Sequence, residues 1–249
     1  AEAAYGVDCS PNGTVYVTGY FTGFCAFLSQ PTNNLYLTAI GNYEIFLAKY
    51  NNNGVCSWVR SAGGGGYDYG YDVTVDDSAN AYMVGWFQGG ASFGSIYLGA
   101  STSWYNGFVA KYDKFGNAKW AIHCPSGSQY GYAYAIGGDG YGNLFVCGYY
   151  YGTATFGPFT LTANSSSFGW SYGSFIAKLN TNGIFEWARN IQSGGLSYAY
   201  SYDVTGNASG ACFVTGAIYN YWGWLNTGTP TICSTPFPTN NTNSWGYHC

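Results

Sequence analysis

The chain has 249 residues, of which 7% are charged and 21% aromatic, with 27 Tyr, 38 Gly and a net charge of −4. The negative charge leaves no basic surface for nucleic acid, and no apolar run reaches the roughly 20 residues that span a bilayer. The composition favours β-strands and tight turns, because Tyr packs well on a pleated sheet and Gly accepts the backbone angles of hairpins. A chain of this length buries roughly 70–75% of its unfolded surface, so we expect it to fold without a cofactor.

Two strings recur along the chain at spacings of 62 to 68 residues and define a repeat. The first is roughly aromatic-x-Val-x-Gly and ends at Gly19, Gly85, Gly148 and Gly216. The second is Phe-x-Ala-Lys, which a short turn connects to a Trp; it occupies Phe46–Lys49, Phe108–Lys111 and Phe175–Lys178, with Trp58, Trp120 and Trp187. One repeat cannot bury its apolar face alone, so the period predicts a single domain over 1–249, with repeats near 4–66, 67–129, 130–197 and 198–249.

The second repeat is predicted to contain four strands in chain order, at Tyr71–Asp76, Ala81–Phe87, Gly107–Tyr112 and Ala118–His123. A Gly- and Ser-rich excursion separates the second strand from the third and carries an apolar patch at Phe93–Leu98. Short strands joined by Gly, Asn and Asp turns are typical of an antiparallel meander. Four strands in about 65 residues correspond to one propeller blade. The predicted fold is therefore all-β, a β-propeller of about four four-stranded antiparallel blades, with the last blade incomplete or completed by the tail or by another subunit.

The third and fourth strands have different burial patterns. The third strand is apolar on both faces, which predicts that neighbouring blades cover both. In the fourth strand, the polar residue before each Trp is predicted to face water; these are Ser57, Lys119 and Glu186. We expect the three repeated Lys residues to lay their stems along the sheet and to pair with carboxylates such as Asp72 and Asp203, rather than to form a ring of binding cations.

The recurring strings resemble the bacterial SBBP repeat, a β-propeller repeat of secreted and surface proteins. Asn80–Gly85 is similar to its Gly-Asn-x-Tyr-Val-Thr-Gly string, and Phe108–Asp113 is similar to its Phe-Val-Ala-Lys-Tyr-Asp string. Gly116–Trp120 matches its closing turn, and Thr153–Gly157 fits its middle stretch. The resemblance covers about residues 5–218. It implies an extracellular β-propeller and supplies no catalytic residues.

Eight cysteines and four glycosylation sequons indicate an oxidising, extracellular compartment. The predicted disulfide-forming residues are Cys9, Cys25, Cys56, Cys124, Cys212, Cys233 and Cys249, whereas Cys147 is expected to be a buried thiol within a strand. The sequons predict glycosylation at Asn12, Asn164, Asn207 and Asn240, although a chain rich in Asn, Ser and Thr also forms sequons by chance. Ala1-Glu2-Ala3-Ala4 is typical of an N-terminus left after signal-peptide removal.

No motif for catalysis, cofactor binding or metal binding is present in the sequence. The two histidines, His123 and His248, lie far apart, and neither a Cys-x-x-Cys spacing nor a Gly-x-Ser-x-Gly elbow occurs. The 11 acidic residues are scattered over turns and strand starts rather than paired as in glycosidases. We therefore predict no catalytic, cofactor or metal residues and no enzymatic activity; a propeller hydrolase is the weakest of the three functional alternatives.

Tyrosines alternate along the segments that enter the first strands of the second, third and fourth repeats. They are Tyr67, Tyr69, Tyr71, Tyr130, Tyr132, Tyr134, Tyr198, Tyr200 and Tyr202. Such rings stack on sugars and anchor interfaces, which would make them a binding surface. The alternative, which we favour for any single Tyr, is that they belong to the core of the repeat.

The fourth repeat contains two predicted strands, Tyr202–Gly206 and Ala211–Ala217, followed by the Thr-, Pro- and Asn-rich segment Ile218–Cys249. A blade with two strands presents an open edge, and open edges pair with something. The tail could complete the blade irregularly, clamped by Cys233 and Cys249; another subunit could donate strands; or the natural chain could continue.

These features together favour a non-catalytic, secreted structural protein that assembles with its own copies into an extracellular filament or surface layer. The alternative is a monomeric extracellular adhesin, a propeller that binds glycans or proteins. The expected partners are therefore other copies of the chain and possibly glycans, with no nucleic acid and no membrane span.

Overall fold

The computed structural model describes residues 1–28, 34–100, 104–163, 171–192, 197–220, 231–232, 235–236 and 244–247. Strands make up 68% of the structure, and the described residues contain no helix, so the predicted all-β class is confirmed. No described segment is therefore a helix with the length and apolar character needed to cross a membrane.

The chain divides into two compact units, Ala1–His123 and Cys124–Cys249. Each unit contains two of the predicted repeats, and the division falls at the end of the second. The grouping of all four repeats in one domain stays a prediction.

The first repeat forms four strands of an antiparallel sheet plus a separate hairpin. In chain order these strands are β1 (Glu2–Cys9), β2 (Val15–Phe21), β3 (Phe24–Phe27), β4 (Leu35–Thr38), β5 (Glu44–Tyr50) and β6 (Cys56–Gly63). The sheet has the order β1-β2-β5-β6, and β3 pairs with β4 in a two-stranded sheet of its own. The hairpin is thus inserted between the second and third strands of the meander.

The second repeat has the same organisation. Its strands are β7 (Asp68–Val75), β8 (Ala81–Phe87), β9 (Ala91–Phe93), β10 (Ile96–Leu98), β11 (Asn106–Tyr112) and β12 (Ala118–His123). The predicted second and fourth strands have the observed bounds, and the predicted apolar patch forms β9 and β10. This hairpin pairs with β6 of the first repeat, with Ala62 opposite Phe93, so the first sheet continues as β6-β9-β10.

The third repeat begins the second unit and follows the same plan. Its strands are β13 (Gly131–Gly138), β14 (Asn143–Tyr151), β15 (Thr153–Phe156), β16 (Phe159–Thr162), β17 (Tyr172–Asn180) and β18 (Phe185–Gln192). The meander order is β13-β14-β17-β18, and β15 pairs with β16. Thr155 in β15 also exchanges two backbone hydrogen bonds with Ser126, at 2.9 and 3.0 Å.

The fourth repeat draws a third strand from the C-terminal segment. Its strands are β19 (Ser197–Gly206), β20 (Cys212–Asn220), β21 (Thr231–Ile232), β22 (Thr235–Pro236) and β23 (Ser244–Tyr247). β21 and β22 form a hairpin on β18, and β23 pairs with β20 to give the order β19-β20-β23. Of the alternatives left open for this blade, the first is the one the structure supports, because the tail supplies β23. In chain order β21 and β22 occupy the place of the inserted hairpin and β23 the place of the third strand, without the Phe-x-Ala-Lys string that marks the third strand elsewhere.

The strand register explains why the two strings recur. Each Gly of the first string lies opposite the Phe of the second, in the pairs Gly19↔Phe46, Gly85↔Phe108 and Gly148↔Phe175. A Cβ atom at any of these glycines would overlap the carbonyl oxygen of Ala3, Tyr69 or Tyr132 on the first strand. In the fourth repeat Gly216 keeps this place, opposite Tyr247.

A β-bulge interrupts the first strand of every repeat, two residues after that close carbonyl. The extra residue at the bulge is a tyrosine each time: Tyr5, Tyr71, Tyr134 and Tyr202. A second bulge, between the third and fourth strands of the first three repeats, turns Ser57, Lys119 and Glu186 outward. These three residues are exposed, as predicted, and each is the extra residue at its bulge.

The core confirms that the third strands are covered on both faces. Successive residues such as Phe108, Val109 and Ala110 are all inaccessible to solvent. The repeated Lys residues follow the predicted packing rule with different partners. Lys178 forms an ion pair with Glu186 at 2.9 Å, rather than with Asp203, and Lys49 donates to the Lys114 carbonyl at 2.9 Å.

Candidate functional site

Two sheet edges, both formed by backbone, are the first candidate for function. The sheets that begin at β1 and β13 each end on an inserted hairpin, because β9 pairs with β6 and β21 pairs with β18. Among the described residues, the hairpin β3–β4 pairs with no further strand, and the sheet β19-β20-β23 ends at β23. These edges carry unpaired backbone groups that can accept another strand.

The hairpin β3–β4 has one face against the core and one face in solvent. Phe27 is buried, and Leu35 and Leu37 pack on the cluster around Phe46. On the outer face, Phe24 and Tyr36 are 67% and 54% exposed, and their rings stack with centroids 5.2 Å apart. An exposed, uncharged edge of this kind is a pairing site unless something covers it.

A cluster of four tyrosines in the first unit is the second candidate. Tyr20, the residue after Gly19, lies at its centre, with ring centroids 4.7 Å from Tyr43, 4.8 Å from Tyr69 and 5.8 Å from Tyr5. We call these four residues the first tyrosine tetrad. Its members come from the first strand, second strand and pre-third-strand segment of one repeat and from the first strand of the next.

The second unit contains the same constellation at equivalent positions. Tyr149, the residue after Gly148, lies 5.4 Å from Tyr134, 6.2 Å from Tyr172 and 5.4 Å from Tyr200 between ring centroids. These four residues form the second tyrosine tetrad. In the second repeat the central place belongs to Trp86, whose Nε1 donates to the Tyr71 hydroxyl at 3.0 Å.

The sequence singled out only the first-strand tyrosines of the tetrads, Tyr69, Tyr134 and Tyr200. The remaining members were not predicted, because none of them stands out until the repeats are aligned on the recurring Gly and Phe; they are Tyr5, Tyr20, Tyr43, Tyr149 and Tyr172. A usable signal exists, since Tyr20 and Tyr149 directly follow the marked Gly, and Tyr43 and Tyr172 stand three residues before the marked Phe. Aligning the repeats on those marks would have brought the tetrads together.

The tetrads carry no charge at neutral pH. Partial burial raises the pKa of Tyr5 and Tyr69, and the nearby phenols of Tyr20 and Tyr43 add to the effect. Burial likewise raises the pKa of Tyr149, with a further contribution from Tyr132. Because a phenol already ionises well above neutral pH, these hydroxyls remain protonated and keep their hydrogen-bond donors.

Two acidic residues are buried beside the first tetrad but are engaged by the backbone. Asp68 accepts from the N–H groups of Gly64 at 2.7 Å and Gln88 at 3.2 Å, and Glu44 accepts from Ile40 N–H at 2.8 Å. Burial raises the pKa of Asp68 to about 6 and also raises the pKa of Glu44. The carboxylates thus fix a glycine-rich loop rather than face an open site.

The predicted disulfides have no support among the cysteines for which the structure is informative. Cys9, Cys25 and Cys124 are free thiols, and Cys56 Sγ lies 3.5 Å from the Trp58 carbonyl oxygen. Cys147 is buried within β14, as expected for a strand thiol, and Cys212 is partly buried in β20. Cys233 and Cys249 lie outside the described residues, so a clamp on the tail stays a prediction.

Two of the four sequons fall in equivalent turns between first and second strands. Asn12 is exposed, and its side-chain oxygen accepts from the Thr14 hydroxyl at 2.7 Å. The Asn207 side-chain oxygen accepts from the Ser209 hydroxyl at 2.7 Å. Asn164 and Asn240 lie outside the described residues. The placement in surface turns is consistent with the predicted modification, which stays a prediction.

His123 is the one histidine within the described ranges, and burial lowers its pKa. Its Nδ1 atom is buried without a hydrogen-bond partner. No three His, Cys, Asp or Glu side chains of the described residues converge as a metal site would require.

No family model matches the chain, and no curated protein matches it. The resemblance to the SBBP repeat therefore stays a prediction, and function has to be argued from the edges and tetrads themselves.

Proposed function

We propose that the chain is a secreted, non-catalytic structural protein whose copies join head to tail into an extracellular filament, each copy being a four-bladed β-propeller. Support for the propeller comes from the repeated four-stranded meander, which is the usual construction of a blade. The strands β19, β20 and β23 would be three strands of the fourth blade.

The observation that carries the proposal is the pair of open edges. Elsewhere in the chain, the first strand of an inserted hairpin pairs with the last strand of a meander, as β9 does with β6 and β21 does with β18. Among the described residues the hairpin β3–β4 has no such partner, and the sheet β19-β20-β23 ends at its third strand. We infer that β3 of one copy pairs with β23 of the next.

Such a contact joins two different surfaces, so it is heterologous and leaves each added copy with one open edge. A heterologous contact that does not close generates a filament. Backbone hydrogen bonds would supply the pairing, as in β-strand addition. The absence of charge in Phe24–Phe27 removes the repulsion that normally protects an edge strand.

A lysine on the hairpin tests the contact. Ala26→Lys places a charge on β3, the strand at the proposed junction, and Ala26 is exposed, so the fold tolerates it. The matched control is Thr38→Lys, an exposed position on β4 that pairs with Phe24 in the same hairpin. Electron microscopy of the purified protein should show filaments for the unmodified chain and for Thr38→Lys, and single particles for Ala26→Lys.

Mixing sharpens the test, because Ala26→Lys blocks one edge and leaves β23 intact. Such a copy should add to one filament end and stop growth, so a tenth of a molar equivalent should shorten filaments of the unmodified chain. The same amount of Thr38→Lys should leave the filament length unchanged. Two results would rule out this junction. One is single particles from the unmodified chain at all concentrations, and the other is filament length that does not change when Ala26→Lys is added.

The extracellular location is supported by the sequons in surface turns and by the low charge of the chain. Mass spectrometry of protein from its natural source should detect glycans on Asn12 and Asn207. Unmodified asparagines at both positions would remove this support.

A further inference from the structure

We propose that each tyrosine tetrad binds an uncharged carbohydrate, with a sugar ring stacked on exposed tyrosine faces and its hydroxyl groups bonded to the phenols. The proposal stands apart from filament assembly, since the tetrads and the edges β3 and β23 are formed by different residues.

The same constellation of four tyrosines occurs in both units. Tyr5, Tyr20, Tyr43 and Tyr69 correspond one by one to Tyr134, Tyr149, Tyr172 and Tyr200 when the repeats are aligned on their marked Gly and Phe. In both tetrads the central ring lies within 4.7 to 6.2 Å of its three neighbours. Both units thus present these four phenols, and the second adds Tyr132, whose ring stacks on Tyr149 at 4.4 Å where the first has Ala3.

The tetrad rings are more exposed than the aromatic rings of the core. The residues that fill the core at the marked positions are phenylalanines, and Phe108 and Phe175 are fully buried. The tetrad rings are instead partly accessible, and Tyr5 is 52% exposed. Packing alone needs no hydroxyl at such positions, whereas a ring face with a polar rim suits a ligand that is apolar on one side and polar on the other.

The β-bulges place one tyrosine of each tetrad beside the central ring. Tyr5 and Tyr134 are the extra residues at the β-bulges of their strands, so the bulge redirects each side chain out of the regular alternation. Bulges commonly occur beside functional sites for this reason. Each bulge brings its tyrosine against the central ring, at 5.8 and 5.4 Å between centroids.

Charge selects the class of ligand. The eight tetrad side chains are neutral phenols, and the carboxylate next in sequence to Tyr69, that of Asp68, is buried and bonded to backbone N–H groups. No cation of the tetrads would compensate an acidic sugar. A neutral pyranose matches the surface, since its C–H face stacks on a ring and its hydroxyls exchange hydrogen bonds with phenols.

The test is calorimetry of the full chain with neutral hexasaccharides of glucose and mannose, and with a hexamer of galacturonate as the charged comparison. We expect at least one neutral hexasaccharide to bind with two sites per chain, and the galacturonate hexamer to bind at least tenfold more weakly. Tyr5→Ala and Tyr134→Ala should each reduce the stoichiometry to one, and the double variant should bind at least tenfold more weakly.

Two further variants separate binding from folding. Tyr5→Phe keeps the ring and should weaken the first site by only a few fold, which distinguishes a lost contact from a lost fold. Tyr141→Ala removes an isolated tyrosine that is 75% exposed in a turn and should change nothing. The proposal is overturned if no neutral hexasaccharide binds, if Tyr141→Ala weakens binding as much as Tyr5→Ala does, or if the tetrad variants change only association between copies.

Discussion

In the second repeat, Phe108 lies opposite Gly85 in a sheet of four strands; in the fourth repeat, Tyr247 lies opposite Gly216 in a sheet of three. The two repeats share the register between second and third strands. They differ in the sequence of the third strand, since Phe-x-Ala-Lys is present in one and absent from the other. The pairing of the second and third strands is therefore shared by both repeats, although only one of them has the Phe-x-Ala-Lys string.

The difference has a physical origin. The Gly of the first string is required because the bulged first strand brings a carbonyl oxygen against its Cα. The third strand has no such restriction, since any residue with strand propensity can extend the ladder. The Gly recurs because the backbone of the first strand approaches it closely. The third-strand sequence varies because its side-chain contacts differ from repeat to repeat.

The largest effect is expected at the shared glycine. Gly85→Val would overlap the Tyr69 carbonyl and come within 2.9 Å of the Phe108 ring, so we expect a loss of more than about 4 kcal/mol or failure to fold. Gly65→Ala is the control, because a Cβ there meets no atom within 4 Å. Urea unfolding measures both. A Gly85→Val protein as stable as the Gly65→Ala control would break the argument that close approach fixes the register.

A pH-dependent effect is expected from Asp68, which is buried; the equivalent place holds the exposed Glu2 in the first repeat and Gly131 in the third. Its pKa in the folded protein, about 6, lies above the 3.8 that is ordinary for an aspartate side chain, so the folded state holds the proton more tightly than the unfolded state. Stability should therefore fall as pH rises from about 4 to 6, by up to about 3 kcal/mol for this group.

Urea midpoints between pH 4 and 7 would measure this dependence. Asp68→Asn should flatten it, because the amide stays neutral over this range and pays no cost of ionisation. A residual slope of the same sign is expected from Glu44, whose pKa burial also raises. An unchanged slope in the Asn variant would show that other groups dominate.

The smallest effect is expected from a hydroxyl contact between the first two repeats. The buried Tyr16 hydroxyl donates to the Ala79 carbonyl at 2.7 Å, in a turn where Ala79 has a φ of 62°. Tyr16→Phe leaves that carbonyl without its donor and should cost about 1–2 kcal/mol. The exposed Tyr36→Phe is the control and should change the unfolding midpoint little. Equal effects of the two variants would argue against a repeat-specific contact.

Much of the second repeat was predictable, because its turns are marked by Gly, Asn and Asp and its strands by burial pattern. The predicted Ala81–Phe87 and Ala118–His123 match the observed strands. The hairpin β9–β10 was visible only as an apolar patch, since its pairing partner β6 is more than 25 residues earlier in the chain. The tetrads were missed for a similar reason, because their members meet only when two repeats pack.

The sequence by itself determined the all-β class, the number of repeats and the positions of the recurring glycines. These features depend on the repeat period, on turn residues and on close backbone approach, which are local and recur in each repeat. Tertiary structure decided where the inserted hairpins pair, that the tail supplies β23, and which tyrosines form a tetrad. Those outcomes depend on contacts between strands distant in the chain, and no local pattern specifies the partner of a strand edge.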